Sequence, residues 1–151
     1  MKTIKKFEIR SERVQVSENP EIYQTPISSP DVVSHFAKQL TKGLDEEIFI
    51  TFLLDIKNKV LGYVEVARGG FDACPVDPRI VFRAAIHLGA SGVIVLHNHP
   101  SGDPKPSIED DALTQRLASC SKILGVSLLD HLIIGDSVFS YRATTPHYLE
   151  T

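Results

Sequence analysis

Three apolar runs of strand length, residues 47–54, 93–96 and 126–134, alternate along this chain with segments whose apolar residues recur at helical spacing. Strands separated by helices cannot all pair as hairpins, so the pattern dictates a helix-flanked mixed sheet, an α/β fold. The first helical segment starts with Ser29 as cap, Pro30 in the first turn and Asp31 complementing the dipole. Val32, Val33, Phe36, Ala37 and Leu40 share one face, and Gly43 ends it. Residues 47–54 then read as a largely buried strand, 55–59 as its turn and 60–67 as the return strand, closing at Gly69-Gly70. A second helix runs from Asp77-Pro78 to about Leu88 with Val81, Ala84, Ala85 and Leu88 inward, and a third spans 107–124. Residues 93–96 form a short apolar strand between them. The strand 126–134, a turn at Gly135-Asp136-Ser137 and a short strand over 138–141 complete the pattern.

With 151 residues, 42% of them hydrophobic, the chain suits one domain with a sizeable core. Residues 1–30 are polar and broken by Pro20, Pro26 and Pro30, so they read as an extended arm with an edge strand over 7–16, and 31–151 as the domain. Lys2, Lys5, Lys6, Arg10 and Arg13 make the arm basic, but Glu8 and Glu12 offset them, which describes a solvated arm rather than a nucleic-acid patch. The net charge of −3 argues the same way, because binding a DNA backbone needs clustered excess Lys and Arg. No apolar run approaches the roughly 18 residues of a membrane span. The basic start has no apolar stretch behind it and is not a signal peptide. Cys74 and Cys120 are therefore expected as reduced thiols in a cytoplasmic protein.

The chemistry concentrates in one stretch, Leu96-His97-Asn98-His99-Pro100-Ser101-Gly102-Asp103-Pro104-Lys105-Pro106-Ser107-Ile108-Glu109-Asp110. Histidines at i and i+2 at a strand end point to the same side of the chain. Paired imidazoles suit zinc, and a catalytic zinc takes three protein ligands and leaves one position open. Asp110, in the first turn of the next helix, could be the third ligand if the Gly/Pro-rich loop returns that helix to the strand tip. The same residues also fit a polar strand end followed by a helix start, with Ser107 as cap and Asp110 three positions on.

The spacing His97-x-His99, seven residues, Ser107-x-x-Asp110 resembles the JAMM (MPN-plus, JAB) metalloproteases. The longer run from His97 to Ser107, with Leu124-Gly125 and Leu128-Leu129-Asp130-His131-Leu132-Ile133-Ile134-Gly135, is similar to the RadC branch over about residues 45–143. The resemblance implies an αβα sandwich related to the cytidine deaminase fold. It implies zinc held by His97, His99 and Asp110, and hydrolysis of an amide in a protein or peptide by a zinc-activated water. Glu65, four residues before Gly69, takes the place of the family's general acid/base, and Ser107 that of its oxyanion-stabilising serine. Without the resemblance, Glu65 reads as an exposed strand residue.

Two departures stand out. Gly69 is followed by Gly70 where many relatives have Ser or Thr, and only about 45 residues precede the matching region. That is too few for the helical N-terminal module of helix-hairpin-helix character in full-length members, so the chain reads as a short form. A deaminase is disfavoured, because neither Cys74 nor Cys120 has a cysteine three residues away. Two further functions are open, a non-catalytic metal-binding interaction domain and a DNA-repair-associated accessory protein. Asp130-His131 reads either as a core histidine beside a hydrogen-bonding Asp or as support for a metal ligand. His35 and His87 read as structural or exposed, Cys120 as helix packing, and Gly135-Asp136 as a turn only.

Overall fold

The computed structural model describes residues 30–69 and 76–150, with side chains from Val33 onward. The arm up to residue 29 with its edge strand, the cap at Ser29, Gly70 and Cys74 lie outside the described residues. Among the described residues four α-helices appear: α1 (Pro30–Thr41), α2 (Pro78–Leu88), α3 (Ile108–Leu124) and a single turn, α4 (Tyr141–Thr144). Their ends follow local chemistry. Asp77 accepts a hydrogen bond from the Arg79 N–H to cap α2, Pro78 occupies its first turn, and Gly89 leaves it in the left-handed region at φ 65°. Among the described residues no helix is long and apolar enough to cross a membrane.

An apolar run without a polar face needs cover on both sides, and β1 (Ile48–Leu54) has it, buried at all seven positions. β2 (Val60–Arg68) pairs with it antiparallel through a tight turn in which Asp55 Oδ1 accepts from the N–H groups of Lys57 and Lys59. β3 (Gly92–Asn98) pairs antiparallel on the other edge of β1. β4 (Ser127–Ile134) lies parallel to β3, and β5 (Val138–Ser140) closes the sheet antiparallel, giving the order β2-β1-β3-β4-β5. The one parallel pair among the described strands requires a crossover, which α3 supplies.

Alternation along the strands divides the core in two. On one face Val33, Phe36 and Ala37 of α1 pack on Ile48, Ile50, Phe52, Leu54, Ile94 and Leu96. On the other, Val81, Phe82 and Ala85 of α2 and Leu117 and Ala118 of α3 cover Phe49, Leu53, Val93, Val95 and Ile133. The result is the expected α/β architecture, a mixed sheet between helical layers.

Two elements differ from expectation. The strand expected over 93–96 runs from Gly92 to Asn98, so His97 is a strand residue with a fixed face. The last strand stops at Ser140 rather than residue 141, because the Ser140 side chain accepts from the Ala143 N–H and starts α4 at Tyr141.

Candidate metal centre

Pairing of Phe49 with His97 across β1 and β3 puts both side chains on the α2–α3 face. The two rings stack with centroids 5.9 Å apart and 10° between planes. His97 is therefore 1% exposed, an imidazole fixed in the core with only its tip toward the sheet end. His99 follows beyond the strand. Its N–H donates to the carbonyl of Ile134 and its Nδ1 lies 2.8 Å from the carbonyl oxygen of Asp103.

The loop carrying His99 is braced from below. Asp136 N–H donates to the Gly102 carbonyl, and a Cβ on Gly135 would run into that same oxygen. The turn Gly135-Asp136, expected to be a turn only, thus supports the loop. No local signal in the sequence announces that role, since the approach is between segments more than thirty residues apart.

Asp110 arrives from α3. Ser107 accepts from the Asp110 N–H, while the Ser107 N–H and hydroxyl both donate to Asp110 Oδ2, at 2.8 and 2.7 Å. This reciprocal cap orients the carboxylate, and the positive end of the helix dipole favours its charge. A helix-capping Asp110 and an Asp110 turned to the histidines are thus compatible, because the cap engages Oδ2 and leaves Oδ1 to face His97.

The three side chains converge. His97 Nε2 stands 3.0 Å from His99 Nε2 and 3.1 Å from Asp110 Oδ1, and His99 Nε2 stands 3.5 Å from Asp110 Oδ2. Ligands about 2.1 Å from a tetrahedral zinc lie roughly 3.3 Å from one another, which these separations match. The donor set fits a cation as well. A carbonyl only accepts, so His99 carries a hydrogen on Nδ1, and in the neutral ring that leaves a bare Nε2 toward the carboxylate and the other imidazole. Acceptors facing one another need a positive charge between them. His97, His99 and Asp110 accordingly form a group that could hold a metal ion.

The Asp110 carboxylate draws positive charge in either form, a cation or an imidazole hydrogen. Burial acts to raise the Asp110 carboxyl, but hydrogen bonds with His97 and His99 outweigh it and hold the group far below the usual carboxylate range. The Asp110 carboxylate in turn raises His99. Below them His131 is pushed well down by burial and by the neighbouring His97, so it stays neutral.

The remaining residues singled out in the sequence fall elsewhere. Glu65 is not brought to the cluster. A register shift between Phe49 and Ile50 pairs it with Ile50, whose side chain belongs to the α1 face, opposite His97. There it accepts from the Arg68 guanidinium at 2.6 and 2.7 Å, which lowers its pKa. Arg68 also bonds Glu46. The carboxylate beside the cluster is Glu47, with Oε1 4.0 Å from His97 Nε2. Asn98 holds it there. The side chain of Asn98 accepts from the Ile48 N–H and donates to the Glu46 carbonyl, clamping the backbone on both sides of Glu47. Neither Glu47 nor Asn98 was singled out in the sequence as a site residue. Glu47 sits one residue before a buried strand, and only the pairing of β1 with β3 places it near His97. His35 and His87 are exposed, and Cys120 lies half-buried in α3 as a free thiol.

Comparison with known proteins agrees with this geometry. A family model described as RadC-like JAB domain matches residues 27–146. A UPF0758 protein of Clostridium perfringens is 44% identical over 119 residues, covering 79% of this chain and 52% of the relative. Another from Halalkalibacterium halodurans is 46% identical over 113 residues, covering 75% of this chain and 49% of the relative. A third from Shouchella clausii is 39% identical over 125 residues, with coverage of 83% and 54%. The chain thus spans about half the length of the curated relatives it matches. On the family match and the sheet that carries the His-x-His segment, the chain belongs to the RadC family of JAB-domain proteins.

Proposed function

We propose that this chain is a zinc-dependent metallopeptidase or isopeptidase that hydrolyses an amide bond in a protein or peptide. The observation that carries the reading is the placement of a carboxylate, Glu47, beside the convergent group His97, His99 and Asp110. Two imidazoles and one carboxylate are a donor set suited to zinc, and three protein ligands leave a position open for chemistry. When bound, the ion supplies Lewis-acid activation of water and of the amide carbonyl.

The chain's own groups do the rest. Glu47 is the base that takes a proton from the attacking water and returns it, as acid, to the leaving nitrogen. Its separation of 4.0 Å from His97 Nε2 leaves it beside the cluster rather than bonded within it, as a proton carrier requires. We assign this role, expected at Glu65, to Glu47, because among the described residues Glu47 lies 4.0 Å from His97 Nε2 while Glu65 is on the opposite face. Ser107 holds Asp110 through two donated hydrogen bonds. Its hydroxyl, at the exposed start of α3, can also turn to the developing oxyanion. Phe49 and the strand pairing keep His97 from moving as charge develops.

The test is hydrolysis of a pool of quenched-fluorescence peptides by the zinc-loaded chain, read by fluorescence and by mass spectrometry of the products. Cleavage that disappears with a chelator and in Glu47→Gln, while Glu47→Gln still holds zinc, supports the reading. Zinc-loaded protein with no hydrolysis of peptide or isopeptide bonds would leave a metal-binding interaction domain as the better description.

A further inference from the structure

Beneath the convergent group lies a third histidine that the reaction does not use. His131, on β4, is 0% exposed, with its ring stacked 5.1 Å from that of Tyr141 at 13° between planes. Both of its nitrogens are engaged. Nε2 is 3.0 Å from His97 Nδ1, and Nδ1 is 2.7 Å from the Thr114 hydroxyl. That hydroxyl, also 0% exposed, donates to the Asp110 carbonyl oxygen at 2.7 Å. Asp110 and Thr114 sit one turn apart on the inward stripe of α3. The helix that delivers the carboxylate therefore also delivers the end of this hydrogen-bond line.

Donor bookkeeping gives the line a direction. A hydroxyl has one hydrogen, and with that hydrogen given to the Asp110 carbonyl its oxygen can only accept. It then accepts from His131 Nδ1–H. His131 with its hydrogen on Nδ1 offers a bare Nε2, which accepts from His97 Nδ1–H. His97 in that tautomer turns a lone pair on Nε2 toward His99 and Asp110. Reversing the line, with the hydroxyl turned to His131 Nδ1, would put a hydrogen on His97 Nε2 and remove that nitrogen as a ligand.

We propose that Thr114 and His131 are positioning residues that keep the hydrogen of His97 on Nδ1 and so present its Nε2 to the metal. The inference rests on the metal-centre reading and adds to it a determinant of affinity that touches neither metal nor substrate. It also gives a physical reason for a fully buried histidine in the core, since a hydrophobic residue would pack there without setting a tautomer.

The experiment uses the full chain loaded with zinc. Long-range proton–nitrogen correlation spectra of histidine-labelled protein are expected to place the hydrogen on Nδ1 in both His97 and His131. In a chelator competition, Thr114→Val is expected to weaken zinc binding by about 10- to 100-fold. Thr114→Ser, which restores the hydroxyl, should return most of that loss. A hydrogen on Nε2 of His131 in the zinc-loaded protein would overturn the proposal. So would a folded Thr114→Val chain with wild-type affinity. Should Thr114→Val fail to fold, the wild-type spectrum decides the matter by itself. Failure of the wild type to bind zinc would bring down the metal-centre reading, and this inference with it. Normal wild-type binding with an unaffected Thr114→Val would bring down this inference alone.

Discussion

Glu47 Oε1 stands 4.0 Å from His97 Nε2, and the backbone on either side of Glu47 is bonded to the side chain of Asn98, the residue that follows His97. A short peptide segment of β3 thus supplies an imidazole of the convergent group and also positions the neighbouring carboxylate. The first prediction concerns that carboxylate. Glu47→Gln should lower amide hydrolysis by about 100-fold or more with zinc content unchanged, as expected on losing a general base. Glu65→Gln should leave the rate at the wild-type level, because Glu65 belongs to the opposite face with Arg68. Rates measured on zinc-quantified samples separate the two, and a silent Glu47→Gln would remove Glu47 from the reaction.

Asn98 is expected to matter without touching metal or substrate. Asn98→Ala removes the partner of the Ile48 N–H and of the Glu46 carbonyl, groups at the buried entry to β1. Leaving them unsatisfied should cost roughly 1–3 kcal/mol of stability. The hydrolytic rate should fall while zinc stoichiometry holds, since His97 remains locked by β-pairing and by Phe49. Denaturant unfolding together with metal analysis checks both halves.

The support beneath the His99 loop leads to a third prediction. Gly135→Ala places a methyl against the Gly102 carbonyl, backbone that can yield only by moving the loop. A destabilisation of about 1–3 kcal/mol is expected, together with weaker zinc binding through displacement of His99. Thermal unfolding with and without zinc should show the zinc-induced gain shrinking in the variant. An undiminished gain would mean that the loop does not depend on the turn.

A fourth prediction comes from Asp130. Burial raises its pKa, against the opposing hydrogen bonds from Ser140, Arg142 and His131. A carboxyl with a folded pKa above its ordinary 3.8 stabilises the fold fully below that value and loses the contribution as pH rises through the folded pKa. Wild type should therefore gain stability relative to Asp130→Asn as pH is lowered toward 4. Chemical denaturation of both proteins across that range tests the sign, and a difference independent of pH would contradict it.

The sheet, its flanking helices and the trio His97, His99 and Asp110 were legible because each rests on local rules: apolar runs of strand length, glycine and proline punctuation, and short spacing across one loop. Glu47 was not legible. Its nearness to His97 depends on the antiparallel register of β1 against β3, a relation across fifty residues that no local pattern encodes. Glu65 was placed by analogy on the return strand, where side chains alternate between faces. The register shift after Phe49 decides which face, and it sends Glu65 away from the cluster. The bracing by Gly135 escaped for the same reason as Glu47, because it is a contact between two loops rather than a property of either. Asp130-His131 admitted two readings from sequence. The structure shows Asp130 accepting from Ser140, Arg142 and the His131 N–H, while the His131 ring meets His97.

His97, His99 and Asp110 are proposed to hold a zinc ion, and elemental analysis of the untagged chain tests this most directly. Wild type, supplied with zinc and freed of excess, is predicted to retain about one zinc per chain, and Asp110→Ala to lose or greatly weaken it. Asp110→Ala also removes half of the reciprocal cap on α3, so its fold should be verified by circular dichroism at the same time. Substoichiometric zinc in the folded wild type would contradict the account, reducing Asp110 to a helix-capping residue and the two histidines to a polar strand end.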